Sequence, residues 1–214
     1  MPNVQSPMGG LEELETASGA TLRVETENAL TVIVEGGGHA SQRVTLPYPD
    51  AGYGGHELLL SADETYLVLF LYSGQCEQGY ELFTYRPEFA HIASFPYVVG
   101  VGDAPVFSRD GRLLAMAWTL TPGRVQKLAS DVTESAAVPW VEVHLRRLDD
   151  GAVWSCLVQV RSVDGARFDA REHDVPEGLR VTATEVAFDT DWGVQVRIPL
   201  PLPEVVVVEG PTPL

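Results

Sequence analysis

The chain of 214 residues is 45% hydrophobic, enough to bury a sizeable core, and carries 30 acidic against 14 basic residues for a formal net charge of −16. A field of that sign repels phosphate backbones and anionic head groups, so nucleic acid and membrane are poor partners and a protein with a basic surface is the partner expected. No run of eighteen apolar residues exists, and the opening MPNVQSPMGG has neither the basic nor the apolar part of a secretory signal, which predicts a cytoplasmic chain.

In chain order, LEELETA (11–17) is one of two short stretches of helical composition; the other is RVQKLASDV (124–132). RVETENALTVIV (23–34) reads as a polar turn between strands, with Glu25 and Glu27 in the two polar places. A glycine-rich turn, GYGGHE (52–57), comes next. LLSADETYLVLF (59–70) then repeats the pattern more clearly: a Ser, one residue, an Asp, and an apolar strand. Tyr66–Tyr72, Tyr80–Arg86 and His91–Val98 are the strands expected after it.

VGVGDAP (99–105) has glycines like those of a phosphate loop, but it precedes a strand and ends in Pro105, so it reads as a linker. FSRDGRLLAMAW (107–118) follows, with Ser108 lying 47 residues after Ser61. A Ser or Asp in such a place bonds main-chain NH groups two residues on, and Asp-Gly closes a tight hairpin. WVEVHLRRL (140–148), the turn Asp149-Asp150-Gly151 and VWSCLVQV (153–160) read as a further hairpin. AFDTDWGVQVRI (187–198) is a third version of the turn, with Asp189 in the Ser place and Asp191 in the Asp place. Prolines 199, 201 and 203 favour an extended edge or crossover, and Val205–Val208 suits a buried strand that closes the sheet system, the preferred reading, or an edge that needs cover.

PVFSRDGRLLAMAW resembles the F-S-P-D-G-x-x-L-A turn of WD40-like and TolB-type β-propeller repeats, with Arg109 where proline is usual and no Gly-His or Trp-Asp pair. The resemblance implies an all-β chain, a small propeller-like array of four or five antiparallel sheets; a two-sheet β-sandwich is the alternative. One all-β domain over 1–214 is expected, with long loops near 121–138 and 162–178.

Candidate chemistry is sparse. His56-Glu57 and the pair Glu142 and His144, two apart on one strand face, supply two ligands without a third at zinc spacing. No G-x-S-x-G elbow is present, and Cys76 and Cys156 are too few for a framework and are expected to be reduced. Neither catalytic residues, nor a metal, nor a cofactor are therefore assigned. Loop aromatics Tyr48, Tyr53 and Tyr97 are candidate platforms. The densest functional cluster is in RFDAREHDVPEG (167–178): Phe168 as an anchor with Arg171, Glu172, His173 and Asp174 around it as a partner-binding set.

The reading is a noncatalytic, soluble protein-binding module, in one concrete form an acidic inhibitor or immunity-type protein that neutralises a basic toxin or enzyme. One alternative is a propeller-type hydrolase or lyase with a divalent cation on Asp63, Asp110 and Asp191 along a central axis; another is an oligomer-forming structural protein.

Overall fold

Two-residue alternation and runs of β-branched and aromatic residues make strands of most of this chain. The structure, a computed structural model, describes residues 13–26, 29–46, 55–72, 77–100, 102–120, 140–162, 176–190 and 193–210. Among them are sixteen strands and no helix. The protein is all-β, with four sheets of three to five strands.

Contacts divide the chain into two units, Met1–Val98 and Val99–Leu214. In the first unit, β1 (Glu13–Glu15), β2 (Ala20–Glu25), β3 (Leu30–Gly36) and β4 (His39–Leu46) form one up-and-down sheet. A second sheet of the same wiring holds β5 (Gly55–Leu60), β6 (Tyr66–Tyr72), β7 (Glu77–Thr84) and β8 (Ala90–Val99). Strand β2 alternates buried and half-buried positions, so Ala20, Leu22 and Val24 turn inward with Leu30, Val32 and Val34 of β3. They pack on Leu58, Leu67, Leu69, Leu71 and Phe83 of the second sheet. Each large side chain so buried is worth about 1.5–3 kcal/mol of transfer free energy. The other face of the first sheet carries Arg23 between Glu25 of its own strand (3.2 Å) and Glu35 of β3 (3.4 Å), partly exposed pairs of small stabilising effect.

In the second unit, β9 (Val106–Phe107), β10 (Leu113–Thr119), β11 (Trp140–Arg147) and β12 (Val153–Ser162) form the third sheet, and β13 (Glu177–Val181), β14 (Glu185–Asp189) and β15 (Gln195–Pro199) the fourth. Ala115, Ala117, Val143, Leu145 and Val158 of the third sheet share a core with Val186, Phe188, Val196 and Ile198 of the fourth. Strand β16 (Val205–Gly210) then returns to the third sheet and pairs parallel to the outer side of β12. The hairpin of β11 and β12 turns at Asp149–Gly151 as its sequence predicts: Ala152 NH donates to Asp150 Oδ1 (3.0 Å), and Arg147 grips the same carboxylate through Nε (2.8 Å) and Nη2. That Arg147 hydrogen bond leads the causes that hold Asp150 down, at about 2.

Three expectations are corrected. LEELETA yields no helix over its described part; Glu13–Glu15 is an edge strand, because pairing with Thr21–Arg23 satisfies a main chain that three residues of helix cannot. Glu25 and Asp189 are strand ends and not the turn positions assigned to them. The Val205–Val208 run closes nothing among the described residues; it is an edge, with Val205 45% and Val207 50% exposed. The placement of the proline-rich stretch holds, since β15 is the outer strand of its sheet and Pro199 sits at its end. Residues 124–132 lie outside the described residues.

Candidate functional site

The Ser-x-Asp turns are built alike. Ser61 Oγ donates to Asp63 Oδ1 (2.7 Å) and accepts the NH groups of Thr65 (3.1 Å) and Tyr66 (2.9 Å). Ser108 Oγ donates to Asp110 Oδ1 (2.6 Å) and accepts Leu113 NH (2.9 Å). In each, the residue three after the serine takes a left-handed backbone and donates to the serine carbonyl at 2.9 Å: Gly111 at φ 69° and Glu64 at φ 55°. Threonine does the serine's work in the two other sheets, in loops one residue shorter. Thr16 Oγ1 accepts Ala20 NH (3.0 Å) and Thr190 Oγ1 accepts Val194 NH (3.2 Å), with Gly19 and Gly193 left-handed. The pattern T-x-x-G at 16–19 and 190–193 was the signal available for both.

These bonds decide what the aspartates do. Burial acts to raise the Asp63 carboxyl, but the hydrogen bonds from Ser61 and from Thr65 outweigh it and hold it below the ordinary carboxylate range. The Ser108 hydroxyl and then Arg112 NH do the same for Asp110. Both carboxylates are spent on closing hairpins. Asp191 lies outside the described residues.

Two other polar groups stand out. Glu142 and His144 share a face of β11, where His144 is 5% exposed and opposite Met116; burial, with Arg146 adding to it, pushes the imidazole down to about 4. Burial likewise lowers His56. Second, Glu81 of β7 meets His91 and Ser94 of β8: Glu81 Oε2 accepts Ser94 Oγ (2.6 Å) and lies 2.7 Å from His91 Nε2, which is 3.4 Å from Ser94 Oγ. A nucleophilic set needs the imidazole between hydroxyl and acid, one nitrogen for each. Here one carboxylate oxygen takes both partners and holds the serine proton itself, so the arrangement braces two strands. Cys156 is buried and its thiol is pushed up to about 11 by burial, which removes its nucleophilicity at neutral pH. Among the described residues no group of three or more His, Cys, Asp or Glu is placed to hold a metal ion, and no helix is long and apolar enough to cross a membrane.

The linker VGVGDAP is a contact element of the second unit. Gly100 and Gly102 lie against the main chain of β10 at Ala117–Thr119, and Asp103 Oδ2 accepts Gly178 NH (2.8 Å) at the start of β13. The glycines serve close approach, and no helix follows for a phosphate.

Among the described residues, the outer side of β16 is an exposed apolar edge. Two of the exposed large hydrophobic side chains, Val205 and Val207, lie two apart on this strand, with Leu157 and Gln159 as their neighbours on β12. Exposed Glu204 precedes the valines and Glu209 follows them. The loop set Phe168, Arg171, Glu172, His173 and Asp174 lies outside the described residues, as do Tyr48, Tyr53 and Cys76. Tyr97 falls within β8 and not in a loop.

No family model matches the chain, and no curated protein matches it. Three solved structures that it resembles are propeller-type folds. The acylaminoacyl peptidase of Pyrococcus horikoshii aligns at TM-score 0.34 and 7% identity over 84% of this chain and 30% of its own. The WD40 domain of SCAP from fission yeast aligns at 0.34 and 10% over 92% of this chain and 61% of its own. A GH43 β-xylosidase/α-arabinofuranosidase from a compost microbial metagenome aligns at 0.36 and 12%, over 95% and 77%. The chain thus spans less than two thirds of the length of the first two, and similarity at this level transfers neither activity nor partner.

Proposed function

We propose that this protein is a noncatalytic binding module for a protein with a basic contact surface, in the manner of an acidic inhibitor or immunity-type protein. The observation that carries the reading is the exposed valine strand set between Glu204 and Glu209 on a chain of net charge −16. An apolar strip supplies the desolvated contact that gives affinity, and the acidic surroundings steer an oppositely charged partner and reject acidic ones. The turn bonds of Asp63 and Asp110 weigh against the rival reading, in which those carboxylates hold a divalent cation for hydrolysis.

The test is affinity capture from the native cell, identification of the partner by mass spectrometry, and association rates across ionic strength. A basic protein whose association slows as the screening length falls from about 10 Å at 0.1 M salt to about 3 Å at 1 M is the expected result. An acidic partner, or a rate indifferent to salt, overturns it.

A further inference from the structure

We infer that the partner is held by strand addition: an extended segment, apolar at alternate positions and flanked by lysine or arginine, pairs with the outer edge of β16. The inference rests on the binding reading above and names its mode.

The ladder fixes which main-chain groups are on offer. Leu157 NH donates to Glu204 O at 3.0 Å, and the parallel register sets Leu157 opposite Val205, Val158 opposite Val206 and Gln159 opposite Val207. In a parallel pair every second residue turns its NH and C=O to the neighbour. With Leu157 bonded to Glu204, the inward residues are Val206 and Val208, and the NH and C=O groups of Val205, Val207 and Glu209 point to the open side. The residues that offer main-chain bonds on that side are therefore the ones whose valine side chains are 45% and 50% exposed. An incoming strand meets hydrogen bonds and apolar contacts at the same two positions, the combination by which sheet edges capture peptides.

Charge selects the occupant. EVVVVEG contains two acids and no base, so pairing two copies would set two purely acidic sequences along one short seam between chains of −16 each. Natural edges use such charges to refuse self-association, and the same charges favour a strand with basic ends. A second copy is thus disfavoured where a basic strand is complementary.

The probe is a synthetic peptide of alternating valine and threonine between paired lysines, with three comparisons: glutamates in place of the lysines, N-methylation of the amides on one edge, and N-methylation of those on the other. Binding to the full chain is followed by fluorescence anisotropy and by amide hydrogen exchange. The lysine peptide is expected to bind, to slow exchange at Val205, Val207 and Glu209, and to lose about tenfold in affinity when its edge toward β16 is methylated. Of the main-chain bonds, Val207→Pro removes an outward NH and none to β12, and with the valine side chain replaced as well it should weaken the peptide by at least a similar factor; Val207→Lys does so by charge. Should the proline variant fail to fold, the methylated peptides report on the unaltered protein. Absence of peptide binding, equal loss on methylating either edge, slow exchange at those three amides in the unbound chain, or a dimer abolished by Val207→Lys overturns the inference, the last two because another segment or a second copy already covers the edge. If the captured native partner binds Val207→Pro unchanged while the peptide does not bind at all, strand addition falls and the binding module stands; if no basic partner exists, the binding reading falls by its own test.

Discussion

Glu64 Oε1 accepts the main-chain NH of Ala17 at 2.6 Å, and so ties the turn of the second sheet to that of the first from a backbone held at φ 55°. The equivalent place in the third sheet is Gly111, the residue for which such a φ costs least. A glutamate persists at 64 because its side chain, 13% exposed, does two things that glycine cannot: it caps Ala17 and approaches Arg86 Nη2 at 3.6 Å. Strain at one residue is balanced by a link between two hairpins.

Replacing Glu64 separates these terms. Glu64→Ala keeps the left-handed backbone and loses the acceptor, and should cost about 1–2 kcal/mol in urea unfolding. Glu64→Gly loses the acceptor but relieves about 1 kcal/mol of backbone strain, so it should lie between wild type and the alanine variant. An alanine variant as stable as wild type would refute the link.

Ser108 is 2% exposed and its hydroxyl serves both Leu113 NH and Asp110, so Ser108→Ala should destabilise by about 1–2 kcal/mol. Asp110→Ala should lower the melting temperature at neutral pH. Because the folded carboxyl lies below its ordinary 3.8, that contribution is present above the unfolded value and is lost as pH falls through the folded one. Melting curves of wild type and Asp110→Ala should therefore converge in acid. A gap that stays constant to low pH would assign the effect to packing.

His144 sets an earlier acid limb. Its folded value of about 4 lies below the unfolded 6.5, so the unfolded chain takes up a proton first as pH falls from 6.5 toward 4, and stability drops across that window by on the order of 3 kcal/mol. Above 6.5 the ring is neutral in both states and contributes nothing to the slope. His144→Gln should flatten the limb measured by denaturant unfolding between those pH values, and His56, shifted the same way, should leave a residual slope. An unchanged limb would show that His144 is not its source.

Gly102→Ala tests the linker. A Cβ at 102 would overlap Ala117 O and sit 2.9 Å from Trp118 Cα, both in a strand buried on its two faces, so a loss of about 2–3 kcal/mol is expected. Gly151→Ala is the control: its φ is 72° and nothing lies within 4 Å of the added carbon, so only the conformational cost of about 1 kcal/mol should appear. Equal losses at the two sites would mean that the close approach at 102 is not what requires glycine there.

Whatever depends on neighbours along the chain is legible in the residues alone. YLVLFLY became β6 and LLAMAWT became β10, because continuous apolar runs between turn signals can satisfy their main chains and bury both faces only as central strands. Ser61, Ser108 and Asp150 were legible as turns because their bonds reach no further than five residues. The turn at Thr16 carries no aspartate two residues on to mark it, and in AFDTDWG the Asp-x-Asp pattern points to Asp189 where Thr190 makes the bond. The rest depends on contacts between distant parts of the chain. Asp103 reaches Gly178 across 75 residues, and Glu81 gathers His91 and Ser94, whose spacing of three in a strand would send them to opposite faces under regular alternation. Most of all, such contacts decide the fate of the valine run: the composition of Val205–Val208 suits a buried strand or an edge alike, and its parallel pairing with the outer side of β12 leaves it, among the described residues, with a strand on one side only, because burial depends on what lies beside a strand and hydrophobicity only on what is in it.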